Sequence, residues 1–354
     1  MKKLIFVANL RAGRMCFFSG TPVLDFIQAL ETELTDWDVR ILLVSSTEEL
    51  KAKLARFTPE SIEAIFTVGG DGTLNRCLDV LLPYNRRGIP IGILPAGTAN
   101  DFAVSLGMSL SVDCVKRAIT QATTRSIDVV RVNGKPLITV GGSGIGSLLL
   151  DEVEKARQGR GAFAIGALHR LIKSDLYSLL ALKNILLGNI AADHTASATF
   201  RLRATTVDDG DGNKTVNEFT TTCLMLCNQG KLGGDLTISP DSSTDDGRFE
   251  LYASLGLGRA ALARTLLSFK RARPDENSVK LRAQSMVLEE LDGRDIVFFG
   301  DGEILERAPR IELGIEQGGM TVFQLEPAAA EQPALARIAR RIPFISNVPD
   351  RAAA

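Results

Sequence analysis

The stretch "TVGGDGTLN", Thr67–Asn75, sets Gly69, Gly70 and Gly72 around one carboxylate, Asp71, straight after the apolar run "IEAIF". Glycine gives up side-chain contacts and costs backbone entropy, so three in four residues answer a demand of the main chain. A tight strand-to-helix turn is one such demand. Amides left bare for a ligand are another, and amides at a helix N-terminus suit phosphate. Asp71 is a poor direct neighbour for a polyanion unless a cation lies between them, so it points to Mg²⁺. A plain turn with an aspartate near the helix start explains the glycines as well, and the cluster alone does not choose.

A second loop, "LPAGTANDFAVSLG", carries Pro95, Gly97, Thr98, Asn100 and Asp101 just before a helical stretch. Thr98 can donate to a phosphate, and Asp101 can hold metal-bound water. Asp101 also reads as an N-cap for "FAVSLG", and the two roles are compatible. Two such loops at adjacent strand ends converge on one crevice at the carboxyl edge of a sheet, where open α/β folds bind ligands.

Those loops need a parallel sheet beneath them, and residues 1 to about 130 supply its pattern. The runs "KKLIFVAN", "DVRILLVS", "IEAIFTVG" and "IPIGILP" read as strands. They alternate with "TPVLDFIQALETEL", "EELKAKLARF" and "TLNRCLDVLL", whose apolar residues recur at helical spacing. After about residue 128 the segments become short, β-branched and turn-punctuated, as in "RSIDVVRVNGKPLITVGG" and "GRFELYASL", and "DDGDGNK" supplies a hairpin. The expected architecture is a 1–128 parallel α/β nucleotide-binding domain, joined by a returning segment at about 304–327, and a 129–303 antiparallel β-sandwich. A helical insertion at roughly 150–188 interrupts the sandwich, and "RAALARTLLSFKRAR" adds a helix with Leu262, Leu266 and Phe269 on one side. The tail, 328–354, is a basic amphipathic segment suited to an anionic membrane surface, a disordered terminus, or a helix docked on its own domain.

Composition narrows the classes. Across 354 residues the formal net charge is −1, which leaves no global basic field to draw nucleic acid. The five cysteines are too scattered for a disulfide framework, and two histidines leave little to complete a zinc site. They read as packed thiols in a reducing compartment. The apolar N-terminal run is too short for a secretory core, and "LYSLLALKNILLGNIAA" is broken by Lys183 and Asn184. The expected location is cytoplasmic, with peripheral contact on the inner membrane face.

"GGDGTLN" followed by "ILPAGTANDFA" resembles the diacylglycerol kinase catalytic-domain family, which includes sphingosine and ceramide kinases and soluble bacterial lipid kinases. The resemblance continues, in the family's order, through "IDVVRVNG", "NQGKLGGDLTISPDSSTDDGRFEL" and "GDGE", Gly300–Glu303. It implies a lipid kinase that uses ATP and Mg²⁺ and acts on a lipid hydroxyl at a membrane surface. By the same resemblance, Glu303 is the general base, and Asp71, Asp101 and Asp128 position Mg²⁺ and its waters. Asn9, Thr47, Gly69, Gly70, Gly72, Thr73, Asn75, Gly97, Thr98 and Asn100 are the implied nucleotide-side residues. Asp246, with carbonyls from Ser243 and Arg248, matches a structural-metal turn that takes Mg²⁺ or Ca²⁺, against the alternative of a metal-free Asp-Gly turn.

The roles make physical sense. A carboxylate is deprotonated at neutral pH and can take a hydroxyl proton, and in phosphoryl transfer the protein mainly orients groups and neutralises charge. The chain departs from the family pattern at "VANLRAG", where an Asn-Pro-Ser-Gly-like start is usual, at "SSTEELKAKLA", which lacks a glycine, and at "ITVGGSGIGSLLLDEV". Two rival readings are an NAD kinase-like enzyme with a soluble acceptor and a nucleotide- or lipid-binding protein without turnover. No residue names the acceptor lipid or the oligomeric state.

Overall fold

The computed structural model describes residues 2–9, 22–97, 100–147, 199–207, 214–232, 236–256, 258–273 and 275–326. The expected helical insertion, the tip of the "DDGDGNK" hairpin, Thr98 and the tail lie outside them.

The N-terminal half follows the alternation read from sequence: β1 (Lys3–Asn9), α1 (Pro22–Glu33), β2 (Asp38–Val44), α2 (Thr47–Leu54), β3 (Ile62–Gly69), α3 (Asp71–Asn85), β4 (Ile91–Pro95), α4 (Asp101–Ser105) and α5 (Val112–Gln121). Strands β2-β1-β3-β4 are hydrogen-bonded side by side in parallel. Central strands β1 and β3 are covered on both faces, so they are apolar almost without alternation, and Leu4–Ala8 and Ala64–Phe66 are fully buried. Helix α2 starts at Ser46, whose side chain accepts from Glu49 N, while Glu49 Oε2 accepts from Ser45 N–H at 2.8 Å. Ser46 thus satisfies one orphan donor of the helix, and Glu49 ties the residue before the cap back onto the first turn.

The second half comprises β5 (Thr124–Val132), β6 (Lys135–Leu137), β7 (Val140–Gly144), β8 (Phe200–Val207), β9 (Lys214–Thr221), β10 (Cys223–Cys227), β11 (Lys231–Leu232), β12 (Leu236–Thr237), β13 (Phe249–Ser254), α6 (Arg259–Lys270), β14 (Ser278–Ala283), β15 (Ser285–Glu290), β16 (Ile296–Gly300), β17 (Glu303–Ala308) and β18 (Arg310–Phe323). A six-stranded antiparallel sheet, β14-β13-β10-β7-β16-β17, faces the antiparallel continuation of the first sheet, β18-β15-β8-β9 with β5 and β6. Val130, Leu202, Leu226, Leu251, Leu288 and Phe298 come from both layers into one buried core, as a sandwich requires. Helix α6 covers the outer face of the six-stranded sheet, where Phe269 meets Tyr252 edge to face, ring centroids 5.1 Å apart.

The fold is thus α/β with a parallel N-terminal sheet and antiparallel C-terminal sheets. The returning strand is narrower than expected from sequence. Glu303–Ala308 belongs to the six-stranded sheet, and β18 makes the return. It pairs with β15 at its start, runs antiparallel to β5 along its length, and reaches β4 in parallel at Val322↔Ile91. At its far end Phe323 stacks on Phe66, which stacks on Phe6, with centroids 5.5 and 5.1 Å apart.

Four described cysteines, Cys77, Cys114, Cys223 and Cys227, are free and buried, as packed thiols should be. Burial pushes the Cys77 and Cys223 thiols up to about 12, so both stay protonated at neutral pH.

Candidate active site

The two glycine loops lie side by side. Ala96 N–H donates to Gly69 O at 2.9 Å, and a Cβ built on Gly97 would stand 2.4 Å from Gly70 Cα. Neither loop therefore has room for a side chain where they meet. Gly69 is needed for a different contact, because a Cβ there would fall 2.5 Å from Thr73 Cβ. We expect Gly97→Ala to force the loops apart and to lower stability by about 1–3 kcal/mol, the usual cost of overpacking. Gly314, with nothing within 4 Å of an added Cβ, supplies the control substitution in a thermal melt.

Gly70 is the N-cap of α3 and offers no side chain to its first turn. The leading amides of a 15-residue helix therefore lack a side-chain cap, the arrangement that favours anions. Asn100 shapes the opposite loop. It sits at φ 59°, accepts from Gly97 N–H through Oδ1 at 2.8 Å, and donates from Nδ2 to Gly97 O at 3.0 Å.

Asp71 opens α3 and lies at the junction. Its Oδ2 accepts from Asp101 N–H at 3.2 Å, while Oδ1 is buried with no hydrogen-bond partner. Burial, followed by the charges of Asp101 and Asp301, pushes its carboxyl up to about 7. A buried oxygen without a donor costs free energy in this state and suits a cation.

Glu303 arrives from the other half of the chain. Asp301 and Gly302, at φ 50° and 84°, form the two-residue turn between β16 and β17, so Glu303 is the first residue of β17. Both positive φ values match the mirror-image turn that Asp-Gly favours. The Glu303 carboxylate reaches the first turn of α3: a Cβ on Gly72 would stand 3.2 Å from its Oε1. Arg76, one helical turn beyond Gly72, donates from Nη2 to Oε2 at 2.7 Å and lies equally close to Oε1.

Asp301, passed over in the sequence reading, holds this arrangement together. It accepts from Asn75 Nδ2 at 2.8 Å, Ile138 N–H at 2.9 Å, Thr139 N–H at 2.7 Å, and the Thr139 hydroxyl. Helix α3 is thereby bonded to the hairpin that carries Glu303. The "DG" pair was the available signal, but it marks a turn and says nothing of which residues fill its hydrogen bonds.

Several sequence candidates sit elsewhere. Thr73 and Asn75 are buried; Thr73 packs on Gly69, and Asn75 donates to Pro136 O and Asp301. Helical periodicity turns both toward packing rather than toward the crevice. Thr47, in the first turn of α2, donates to Arg76 O at 3.1 Å and so joins α2 to α3 near the site. Asn9 ends β1 at the same carboxyl edge of the sheet. Asp128 spends its carboxylate on backbone amides: Oδ2 accepts from Gly247 at 2.6 Å and Oδ1 from Gly318 at 2.8 Å, across the irregularity in the β5–β18 pairing.

Around the expected structural-metal turn, Ser243 donates to Asp245 at 2.5 Å. Asp246 accepts from Arg248 N–H at 3.0 Å and from Arg282 at 2.8 Å. Arg282 also lies 3.2 Å from buried Glu250, so its guanidinium stands where a cation would otherwise balance the turn. We expect chelation of divalent cations to leave the melting temperature unchanged, whereas Arg282→Gln lowers stability by on the order of 1–2 kcal/mol.

No three His, Cys, Asp or Glu side chains among the described residues form a ready metal cage. Mg²⁺ does not need one, since it keeps several waters and is held by one or two carboxylates with substrate phosphates. A hollow of about 290 Å³ lined by Lys2, Glu60, Arg87, Pro90 and Phe323 lies at the amino edge of the parallel strands, away from the glycine loops.

Residues 3–132 match the model of the diacylglycerol kinase catalytic domain. The likeness to that family model covers the parallel α/β half and ends with β5. It is 31% identical over 193 residues to the diacylglycerol kinase of Bacillus subtilis strain 168, covering 53% of this chain and 54% of that one. It is 33% identical over 152 residues to a protein of Enterobacter sp. strain 638 named "Probable lipid kinase YegS-like", covering 41% and 50% respectively. The chain thus spans about half the length of the curated relatives it matches. A crystal structure of a diacylglycerol kinase from Bacillus anthracis strain Sterne superposes with a TM-score of 0.62 at 20% identity, over 92% of this chain and 97% of that one. At that identity the likeness concerns the fold, and it extends through the sandwich beyond the matched catalytic segment. No helix among the described residues is long and apolar enough to cross a membrane.

Proposed function

We propose that the protein is a lipid kinase that transfers the γ-phosphate of ATP, with Mg²⁺, to a lipid hydroxyl. The observation that carries this reading is the Glu303 carboxylate, brought from the sandwich onto the first turn of α3 beside Gly72. This closeness supports reading the carboxylate as the base and the helix start as the phosphate site.

The amides that lead α3 hold the phosphates, and the Gly97 loop, its own amides engaged by Gly69 and Asn100, walls the crevice beside them. Asp71, through its unpartnered Oδ1, and Asp101 hold the cation and its waters, and Thr98 is the further phosphate donor expected of its loop. When bound, Mg²⁺ neutralises charge that builds on the transferred group. Glu303 takes the proton of the acceptor hydroxyl as its oxygen bonds to phosphorus and ADP departs. Asp128 contributes at a distance, by holding the β5–β18 crossing that joins the two halves. The acceptor's chains lie along the sandwich side, and the protein works from the cytoplasmic face of the membrane.

The test is to incubate the full chain with ATP, Mg²⁺ and a panel of diacylglycerol, sphingoid base, phosphatidylglycerol and polyprenol, and to identify products by mass. One lipid gaining a phosphate is the expected result. Phosphorylation of NAD with every lipid inert would move the assignment to a soluble acceptor. ATP binding with no turnover on any acceptor would leave a binding protein.

A further inference from the structure

We propose that Arg76 is a phosphate ligand of the nucleotide site, held in reserve on Glu303 until a nucleoside triphosphate arrives. The inference rests on the reading that the glycine loops bind ATP, but not on what the acceptor is.

The geometry begins with the helix. Gly72 and Arg76 are four residues apart on α3 and so share a face. Helical side chains lean toward the N-terminus, so Arg76 reaches back over the turn whose amides face the phosphates. There its guanidinium meets both oxygens of Glu303 at 2.7 Å. With a cation on both oxygens, Glu303 has its charge compensated and its lone pairs engaged. While the pair persists, the guanidinium stands between those oxygens and an incoming hydroxyl.

The pair is also easy to exchange. Its side chains are 49% and 32% exposed, and exposed pairs of this kind are weakly held. A triphosphate on the adjacent amides offers more charge and more oxygens, and guanidinium binds phosphate in strong, charge-assisted hydrogen bonds. Transfer of Arg76 from Glu303 to phosphate would release the base only when its co-substrate is present. Two contacts make the exchange possible without disturbing the fold. Glu303 is fixed through the turn held by Asp301, and the Arg76 carbonyl is held by Thr47. The exchange therefore moves the arginine side chain and leaves both backbones in place.

The test is calorimetric binding of ATP with Mg²⁺, and of AMP, to the full chain and to Arg76→Gln, Glu303→Gln and the double variant. We expect Arg76→Gln to weaken ATP about tenfold or more and to leave AMP unchanged, since the loss is of a contact with the outer phosphates. Glu303→Gln should tighten ATP several-fold, because the guanidinium is no longer shared, and that gain should vanish in the double variant. Arg86→Gln, at the far end of α3, should leave both affinities as they are.

Unaltered ATP affinity in Arg76→Gln would overturn the proposal. So would a Glu303→Gln gain that survives intact in the double variant, which would mean simple repulsion between carboxylate and phosphate. If the glutamine variant does not fold by circular dichroism, Arg76→Lys, which keeps the charge without the fork, should weaken ATP in the same sense and decides in its place. No ATP binding by the unmodified chain would overturn both this inference and the nucleotide site. Normal ATP binding with no lipid product would leave the inference standing and remove only the acceptor.

Discussion

Glu303→Gln is expected to reduce lipid phosphorylation by about 10²–10⁴-fold, the usual contribution of a positioned general base. The substitution keeps the shape of the side chain and removes its ability to accept a proton. Its pair with half-exposed Arg76 is weakly held, and the turn is fixed by Asp301 and the strand by β16. The melting temperature should therefore stay near that of the parent, and ATP should still bind. This combination separates a lost base from a lost structure. Undiminished turnover in the variant, with its fold intact, would remove Glu303 from the chemistry.

The second large effect comes from Asp71, and it has opposite signs for activity and stability. The carboxyl is pushed up to about 7 from the ordinary 3.8, first by burial and then by Asp101 and Asp301. Below pH 4 it is protonated in both folded and unfolded chains and has no effect on stability. Between about 4 and 7 the unfolded chain ionises while the folded chain keeps its proton, so stability falls as pH rises. Above 7 the whole loss is present, on the order of 2–4 kcal/mol.

Asp71→Asn cannot ionise and should escape that loss. Its melting temperature should exceed the parent's by a few degrees at pH 8 and match it near pH 4, while lipid phosphorylation falls at least about 10²-fold. A gain of equal size at both pH values would mean that the asparagine is better packed and that buried charge is not the cause. The trade is the one expected where a destabilised group is kept for function.

How far the sequence foretold the molecule depends on the range of the signal. The parallel strands, their helices and the two glycine loops were readable because apolar runs, helical spacing and glycine clusters are local patterns. The resemblance singled out Glu303, and the fold sets its carboxylate beside Gly72. The partners were not readable. Asn75 and Asp301 lie 226 residues apart, and Arg76 and Glu303 lie 227 apart. No periodicity links such positions, and Asn75 looks like any polar residue in the first turns of a helix. Asp128 illustrates the same limit from the other side. Its motif pointed to the metal, whereas its oxygens hold the amides of Gly247 and Gly318, which only the paired strands bring near.

Strand β18 has a further consequence for how the molecule can be cut. The matched catalytic segment stops at Val132, yet the edge of β4 is met by Val322 and β5 is paired along its length by Arg310–Phe323. A fragment ending at 132 would carry naked ladder groups on both strands and lose the ring of Phe323 from the stack on Phe66. Such a piece should aggregate on expression, and any excised piece that keeps the physical unit whole must include the distant ribbon. Opening the molecule like a clamshell would tear the same ladder, so the two halves stay locked together while it is intact.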